Sequence, residues 1–468
     1  MLQVSQPFDV IVVGAGTAGV PAAVAAAERG LHVALVEAAG DIGGTLVLSG
    51  GSISAAGTPM QNAAGVEDST DKHFADALRI NHGTGDHVLL RAWIDRAAGM
   101  IDWLLDHGWT CTPFEPVFAP EHDLYTTPRT YRSTEQGFSL IGAYRNALAP
   151  LVDSGKIEIF LNTRVRDLIV EDGVAKGVIA TCGDATVELH GRAVILTTGG
   201  FSGSADHWQK IHGINPLRYH IDTVVGDGMD MATAAGGATW YEDTLLPSFG
   251  GTRNLNAPAS AWMHSVINPL VRPPWEIYVN SDGDRFMPED EGIIDQRERA
   301  IMRQPGWTFW VIYDEKARRE SPALFKWEPE QLEELFAGQD TDYVRADSIA
   351  DMALRCGLPV DRLNATIDLY NRGQAVGSDM LRRQHMPSPV AEGPFYAVRH
   401  YGFSICCYPG IRVDHDLRVV DREGRPIAGL YAAGEAIGIG FLGHGFLSGG
   451  IVSSAVTLGL RLGREVLA

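Results

Sequence analysis

At 468 residues the chain is longer than one ordinary hydrophobic core, so two domains are expected. Lys and Arg number 38 against 58 Asp and Glu, and the net charge of −20 excludes a polyanionic partner such as nucleic acid or an anionic membrane surface. The 53 glycines stand in short loops between apolar runs and follow no period, which excludes collagen-like and disordered classes.

FDVIVVGAG reads as a buried strand running into a glycine turn, TAGVPAAVAAAERG as an alanine-rich helix, and LHVALVEA as a second buried strand. Together they predict a βαβ unit. VLLRAWIDRAAGMIDWLLDHG and GFSLIGAYRNALAPLVDSG have helical periodicity. Between residues 156 and 200 the pattern shortens to strands, with hairpin signals at Asp172-Gly173 and Gly183-Asp184, which predicts a small β-meander leading into RAVILTTGG. A proline- and tryptophan-containing middle stretch follows, and then GLYAAGEA and a last apolar helix. The expected organisation is α/β: a Rossmann-like dinucleotide-binding domain formed by 1–250 with 400–468, and an inserted α+β capping domain at 251–399. No run is long and apolar enough to span a membrane, and only seven residues without a basic cluster precede Phe8, so no secretory signal is expected. Cys111, Cys182, Cys356, Cys406 and Cys407 have neither CxxC nor metal-ligand spacing; no metal site is expected, and reduced thiols suit the cytoplasm.

GAGTAG sets Gly14, Gly16 and Gly19 in the GxGxxG order, directly after a strand and opening a helix. The first glycine permits the turn, the second admits a pyrophosphate, and the third lets helix and strand pack closely, with Ala18 between. Glu37 ends the second strand about twenty residues on, where a carboxylate accepts from ribose hydroxyls, and Ala38 follows it. This unit alone does not separate NAD from FAD. GGTLVLSGGSISAAGT at 43–58 is a second glycine- and hydroxyl-rich loop, with Gly43, Gly44, Thr45, Ser49, Gly50 and Gly51 as candidate cofactor contacts. TTGGFSG at 197–203 adds Thr198, Gly199 and Gly200, and GLYAAGEA adds Gly434 and Glu435, the latter for a second polyol. Four such signals in order favour FAD.

On these residues the chain resembles the fumarate reductase and succinate dehydrogenase flavoprotein superfamily, in particular its 3-ketosteroid dehydrogenase branch. The resemblance runs through VVGAGTAG, GGTLVLSGGS, VILTTGGFSG, VVGDGMDMATAAGG, VNSDGDRFMPED, GPFYAV and GLYAAGEAIGIGFLGHGFLSGG. It implies FAD, a cap over the flavin, and hydride transfer at carbons α and β to a carbonyl. It also implies that Val165 belongs to the cofactor site, that Gly226, Asp227 and Gly228 lie near the flavin side, and that Ile451 and Val452 place N–H groups at the flavin N1–O2 edge. Gly44 stands where succinate dehydrogenases join a histidine to FAD, so noncovalent FAD is expected.

The resemblance also locates departures. Phe446 holds the position of the arginine that grips a carboxylate in fumarate reductases, and Ile405 and Cys406 hold that of a histidine pair. A dicarboxylate would lack its cationic partners there. A Δ4-type Tyr-x-Ser is Phe446-Leu447-Ser448 here, so Ser448 remains as a donor to a carbonyl oxygen. Eight residues past Arg285, where the resemblance implies a proton donor, stands Ile293; a local shift would bring in Arg297 from EDEGIIDQRERA, and Tyr408 is the other candidate, with His264 and His444 behind them. The expected activity is α,β-dehydrogenation or ene-reduction of a neutral, largely apolar carbonyl compound, with an electron partner of unknown kind. A fumarate reductase-like enoate reductase and a non-catalytic flavin-binding protein are the alternatives.

Overall fold

The computed structural model describes residues 2–3, 7–119, 123–338 and 341–467. Its first layer is a nine-stranded sheet whose centre is parallel. Phe8–Val13 pairs with Val33–Val36 on one side and Ala185–Leu196 on the other; Ile157–Phe160 extends the first side and Pro426–Ala432 the second. Each core strand is a short β-branched run buried on both faces, as parallel sheets covered by helices require. The α/β class and the βαβ start expected from the sequence are present.

Thr163–Glu171, Val174–Cys182 and Ala185–Leu196 form the meander. Its first turn has positive φ at both Asp172 (50°) and Gly173 (76°), as a two-residue hairpin demands. The sequence suggests short strands leading into RAVILTTGG, but the start of that segment and the residues before it form one strand of 12 residues. Gly191 in its middle lets it lie against Phe8–Val13, since a Cβ there would stand 3.0 Å from Ile11. The helical run at 88–107 divides into His87–Ile94 and Ala97–Asp106.

The first and last helices interlock beside this sheet. Gly19–Glu28 lies against Gly450–Arg461, and a Cβ on Gly459 would stand 2.3 Å from the Ala18 carbonyl oxygen. The two ends of the chain therefore build one layer.

A seven-stranded second sheet is centred on Phe395–Ser404, with Ser248–Arg253 and Thr308–Asp314 antiparallel on its flanks. Positions 250 and 400, where the sequence suggests domain boundaries, fall inside strands of this sheet. Side chains alternate across it. Trp310 and Ile312 meet Met352, Leu363 and Ile367 of two helices on one face, whereas Phe309, Val311 and Tyr313 meet Ile301, Phe325 and Phe336 on the other. Arg285 is spent inside this layer, held by Glu289 (2.6 Å) and Asp379 (2.6 Å).

One buried ion network joins the segment before Thr130 to the helix Thr70–Ile80. Arg129, fully buried, donates to both oxygens of Asp68 (3.0 and 2.9 Å) and to Asp76 Oδ2 (2.8 Å). Removing one partner of such a set strands the others, at a cost of about 3–5 kcal/mol. Arg129→Met is expected to lower the thermal midpoint of the apoprotein by several degrees. An unchanged midpoint in differential scanning calorimetry would contradict this reading.

Candidate functional site

A cleft of about 570 Å³ opens at the carboxyl ends of the parallel strands and runs under the second sheet. This is where an open α/β sheet offers its binding crevice. At one end lie Gly14, Gly16, Ala18, Glu37 and Ala38. The glycine turn is set by close approach of backbones. Gly14 has φ 103°, and a Cβ there would lie 2.4 Å from the Thr197 carbonyl oxygen; on Gly19 it would lie 1.8 Å from that of Gly14. Gly16 differs: an added Cβ meets only Gly44 Cα, at 3.8 Å, and otherwise enters the cleft.

The helix Gly19–Glu28 has no side-chain cap and no acidic residue in its first turn, which leaves its N–H groups and positive dipole end for an anion. Glu37 is buried and accepts from Ala15 N–H and Ala39 N–H, both at 2.8 Å, which fixes its carboxylate at the wall. These features fit a bound dinucleotide: a pyrophosphate at Gly16 and the helix end, a ribose at Glu37.

The middle of the cleft collects Gly44, Thr45, Ser49, Gly50, Thr198 and Gly199. Gly434 and Glu435 join from the Pro426–Ala432 strand, and Ile451 and Val452 from the first turn of Gly450–Arg461. Glu435 accepts from Cys407 N–H (2.8 Å), and burial pushes its carboxyl up to about 7.

Val165 and Asp227 also reach the wall. Asp227 is ion-paired with Arg164 (2.7 Å), next to Thr163, whose N–H donates to the Glu37 carbonyl oxygen (2.9 Å). The network ties Asp227 to the Glu37 end, whereas the resemblance implied the flavin side.

Four expected contacts pack behind the wall instead. A Cβ on Gly43 would strike Ile141 (2.7 Å), on Gly51 the Gln136 backbone (2.3 Å), and on Gly200 both Cys407 and Glu435 (2.9 Å); Gly19 is the fourth. Their glycine identity serves close packing.

At the far end the wall is made of Phe249, Phe403, Ile405, Cys406, Phe446 and Leu447, together with Ser448, Arg297 and Glu298. Ser448 Oγ accepts from Thr130 Oγ1 (3.2 Å), and its carbonyl from Tyr125 Oη (3.0 Å). The serine's own hydrogen stays available to a ligand. Arg297, 3% exposed, donates to the Ile267 carbonyl (2.5 Å) and lies over the Phe249 ring at 4.5 Å. Burial lowers its pKa. Ile293 caps this helix and is 47% exposed.

Tyr408 does not reach the wall. It is buried edge-on to Phe446 (6.4 Å between centroids), and burial drives its phenol well above the ordinary range, which makes it a poor proton carrier. His264 stacks on Trp327 (5.0 Å), and His444 is exposed; neither lines the cleft.

Glu298, absent from the sequence expectations, is 2% exposed at the wall. Its signal was helical phase. Ile294, Arg297, Glu298 and Ile301 recur at i, i+3, i+4 and i+7, so the two isoleucines that anchor the helix turn Arg297 and Glu298 to the same buried face.

A family model described as FAD binding domain matches residues 9–452. The chain belongs to this FAD-binding family. A probable fumarate reductase of Shewanella frigidimarina is 28% identical over 465 residues, covering 97% of this chain and 74% of that protein. A 3-oxosteroid 1-dehydrogenase of Mycobacterium tuberculosis is 24% identical and covers 97% of both chains. The crystal structure of a 3-ketosteroid Δ1-dehydrogenase from Sterolibacterium denitrificans shares the fold at a TM-score of 0.83, with 20% identity, 99% of this chain and 100% of that one. This FAD-binding protein is therefore a flavin-dependent oxidoreductase acting on CH–CH groups, with relatives in both branches.

The second and third glycines of the fingerprint separate binding from fold. Gly16→Val is expected to weaken FAD binding by about 10–100-fold with an unchanged far-UV circular dichroism spectrum, because the side chain enters the cleft. Gly19→Val is expected to reduce soluble, folded yield, because its Cβ strikes the backbone. Equal FAD affinity of Gly16→Val and wild type in a fluorescence titration would remove Gly16 from the cofactor path.

Proposed function

We propose that this oxidoreductase desaturates, or reduces in the opposite direction, the carbon pair α,β to the carbonyl of a neutral, largely apolar and cyclic compound. FAD, held noncovalently by the Gly16, Glu37, Gly434 and Val452 walls, supplies the two-electron carrier when bound. The single observation that carries the substrate class is the apolar far wall, where Phe446 replaces a carboxylate-binding cation and Phe249, Phe403 and Leu447 complete the surface. Such a wall desolvates a hydrocarbon body and repels a dicarboxylate.

Within this reading Ser448 donates its free hydrogen to the carbonyl oxygen, and Arg297, pinned by Ile267 and Phe249, orients and polarises the same group. Tyr408 acts only by supporting Phe446. An unidentified electron acceptor or donor completes the cycle. The five free cysteines support a cytoplasmic setting.

A second reading has its own support. Arg297 is a cation in the cleft wall, held by the Ile267 carbonyl and the Phe249 ring. A single carboxylate, as in an aryl- or alkyl-substituted enoate, would be attracted there.

A panel of cyclic enones, monocarboxylic enoates and fumarate, assayed with reduced viologen, distinguishes these readings. Cyclic enones are expected to be reduced fastest and fumarate slowest. Ser448→Ala is expected to lower kcat/KM for the enone by about tenfold, the worth of one hydrogen bond. Fumarate reduced faster than every enone would overturn the proposal. Flavin left on acid-precipitated protein would overturn noncovalent attachment.

A further inference from the structure

Glu298 is a buried carboxyl facing a cleft, and Glu289 shows what a structural carboxyl looks like in the same layer. Glu289 accepts from Tyr278 N–H (3.0 Å) and from Arg285 (2.8 and 2.6 Å), and pairs with Arg383 (3.0 Å). Glu298 Oε2 is buried with no hydrogen-bond partner among the described residues. An unpaired buried carboxylate is costly, so the group is kept neutral or is meant for a ligand.

Behind it, away from the cleft, stands a graded set of titratable groups. Asp295, 6% exposed, contacts His82 Nε2 (3.2 Å) and Arg299 Nε (2.9 and 3.0 Å). Asp123 Oδ1 accepts from Ile294 N–H (3.2 Å) at the start of the same helix. The His82 side chain is 55% exposed. Asp295 and Asp123 lie near enough for their charge to bear on Glu298, and Asp295 reaches on to the half-exposed His82.

We propose that Glu298 is the catalytic acid–base of the cleft, and that Asp295 and Asp123 pass its proton to and from solvent at His82. The assignment rests on the carbonyl-compound reading above. As the β-carbon gains a hydride, the displaced electron pair of the C=C bond takes the Glu298 proton at the α-carbon. The carboxyl O–H bond breaks, a C–H bond forms, and the carboxylate left behind is reprotonated from water through Asp295, Asp123 and His82. Desaturation runs the same steps backwards, with Glu298 as base; FAD held in the cleft would supply or accept the electron pair.

The electrostatics agree with this placement. Burial first, and then the nearby carboxylates Asp295 and Asp123, hold the Glu298 carboxyl well above its usual range, against the opposing pull of Arg297 and Arg299. Cys406 and Tyr408, which also face Glu298, are themselves pushed up by burial. Asp123 is raised as well, by burial and by Asp295. Reduction needs the protonated acid, so its rate is expected to be level below the Glu298 pKa and to fall above it.

Three measurements on the FAD-loaded protein test this. Infrared spectra without substrate at neutral pH are expected to contain a carboxylic-acid C=O band that E298Q lacks. Turnover of the best enone or enoate is expected to drop by about 100-fold or more in E298Q, with recovery in part by E298D and with FAD absorbance intact. The positioning variants D295N and H82Q are expected to shift the alkaline limb of the pH profile and raise the solvent isotope effect. E298Q that turns over within about threefold of wild type, or that keeps the band, overturns the assignment. If the wild type reduces nothing in the panel, the substrate reading falls, and the infrared band alone decides whether Glu298 is the buried acid.

Discussion

The structure depends on the near-contact of three backbones at the carboxyl edge of the first sheet. Thr197 Oγ1 donates to the carbonyls of Val13 and Gly14, both at 2.9 Å, and joins the ends of Phe8–Val13 and Ala185–Leu196. Gly14 and Gly19 have no room for a Cβ, and Gly434 would meet Ala18 at 2.8 Å. The first helix is thereby drawn onto the strand ends from which its open N-terminus faces the cleft. Shape and electrostatics at the cofactor end follow from this one packing constraint, and the last helix is locked to it through Gly459.

The parts of the fold that were legible in the sequence are those whose pairing is local or whose glycines are forced. The βαβ start, the hairpins at Asp172 and Gly183, and the strand into Thr197 each carry their signal within about a dozen residues. The second sheet is different. Phe395–Ser404 pairs with strands as distant in sequence as Leu217–Arg218 and Ser248–Arg253, and several of its members are two to four residues long. Such strands owe their existence to their neighbours, and no local pattern sets their ends. The glycine-rich loops were legible as a group but not one by one. Gly16 and Gly43 look alike in sequence, and only the packing shows that one faces the cleft and the other Ile141.

Buried charge is the second place where sequence falls short. Arg129, Arg285 and Arg383 sit in polar stretches that read as surface, yet all three are paired inside the protein. Their cost is recovered by multiple hydrogen bonds to carboxylates, and their role is to fix loops in place. Arg129 does so beside the site: Thr130, the next residue, reaches Ser448, and Tyr125 holds the Ser448 carbonyl. A surface-like arginine thus governs the position of a cleft hydroxyl.

The helix Ile294–Met302 brings these themes together. Its charged residues are as many as its apolar ones, and the chain carries a net −20, so a solvated helix is the natural expectation. Two isoleucines at heptad spacing bury one face all the same, and that face holds one cation and one acid against the cleft. Arg297 is held by a carbonyl and an aromatic ring, neither of which neutralises it, and its Nε is buried without a hydrogen-bond partner among the described residues. Burial and the acids behind it raise the Glu298 carboxyl well above its usual range. In the proposed roles the two side chains act separately, one as a positive charge and the other as a proton donor. Those are the two things that enolate-forming chemistry asks of a protein: charge to steady the oxygen and a proton for the carbon.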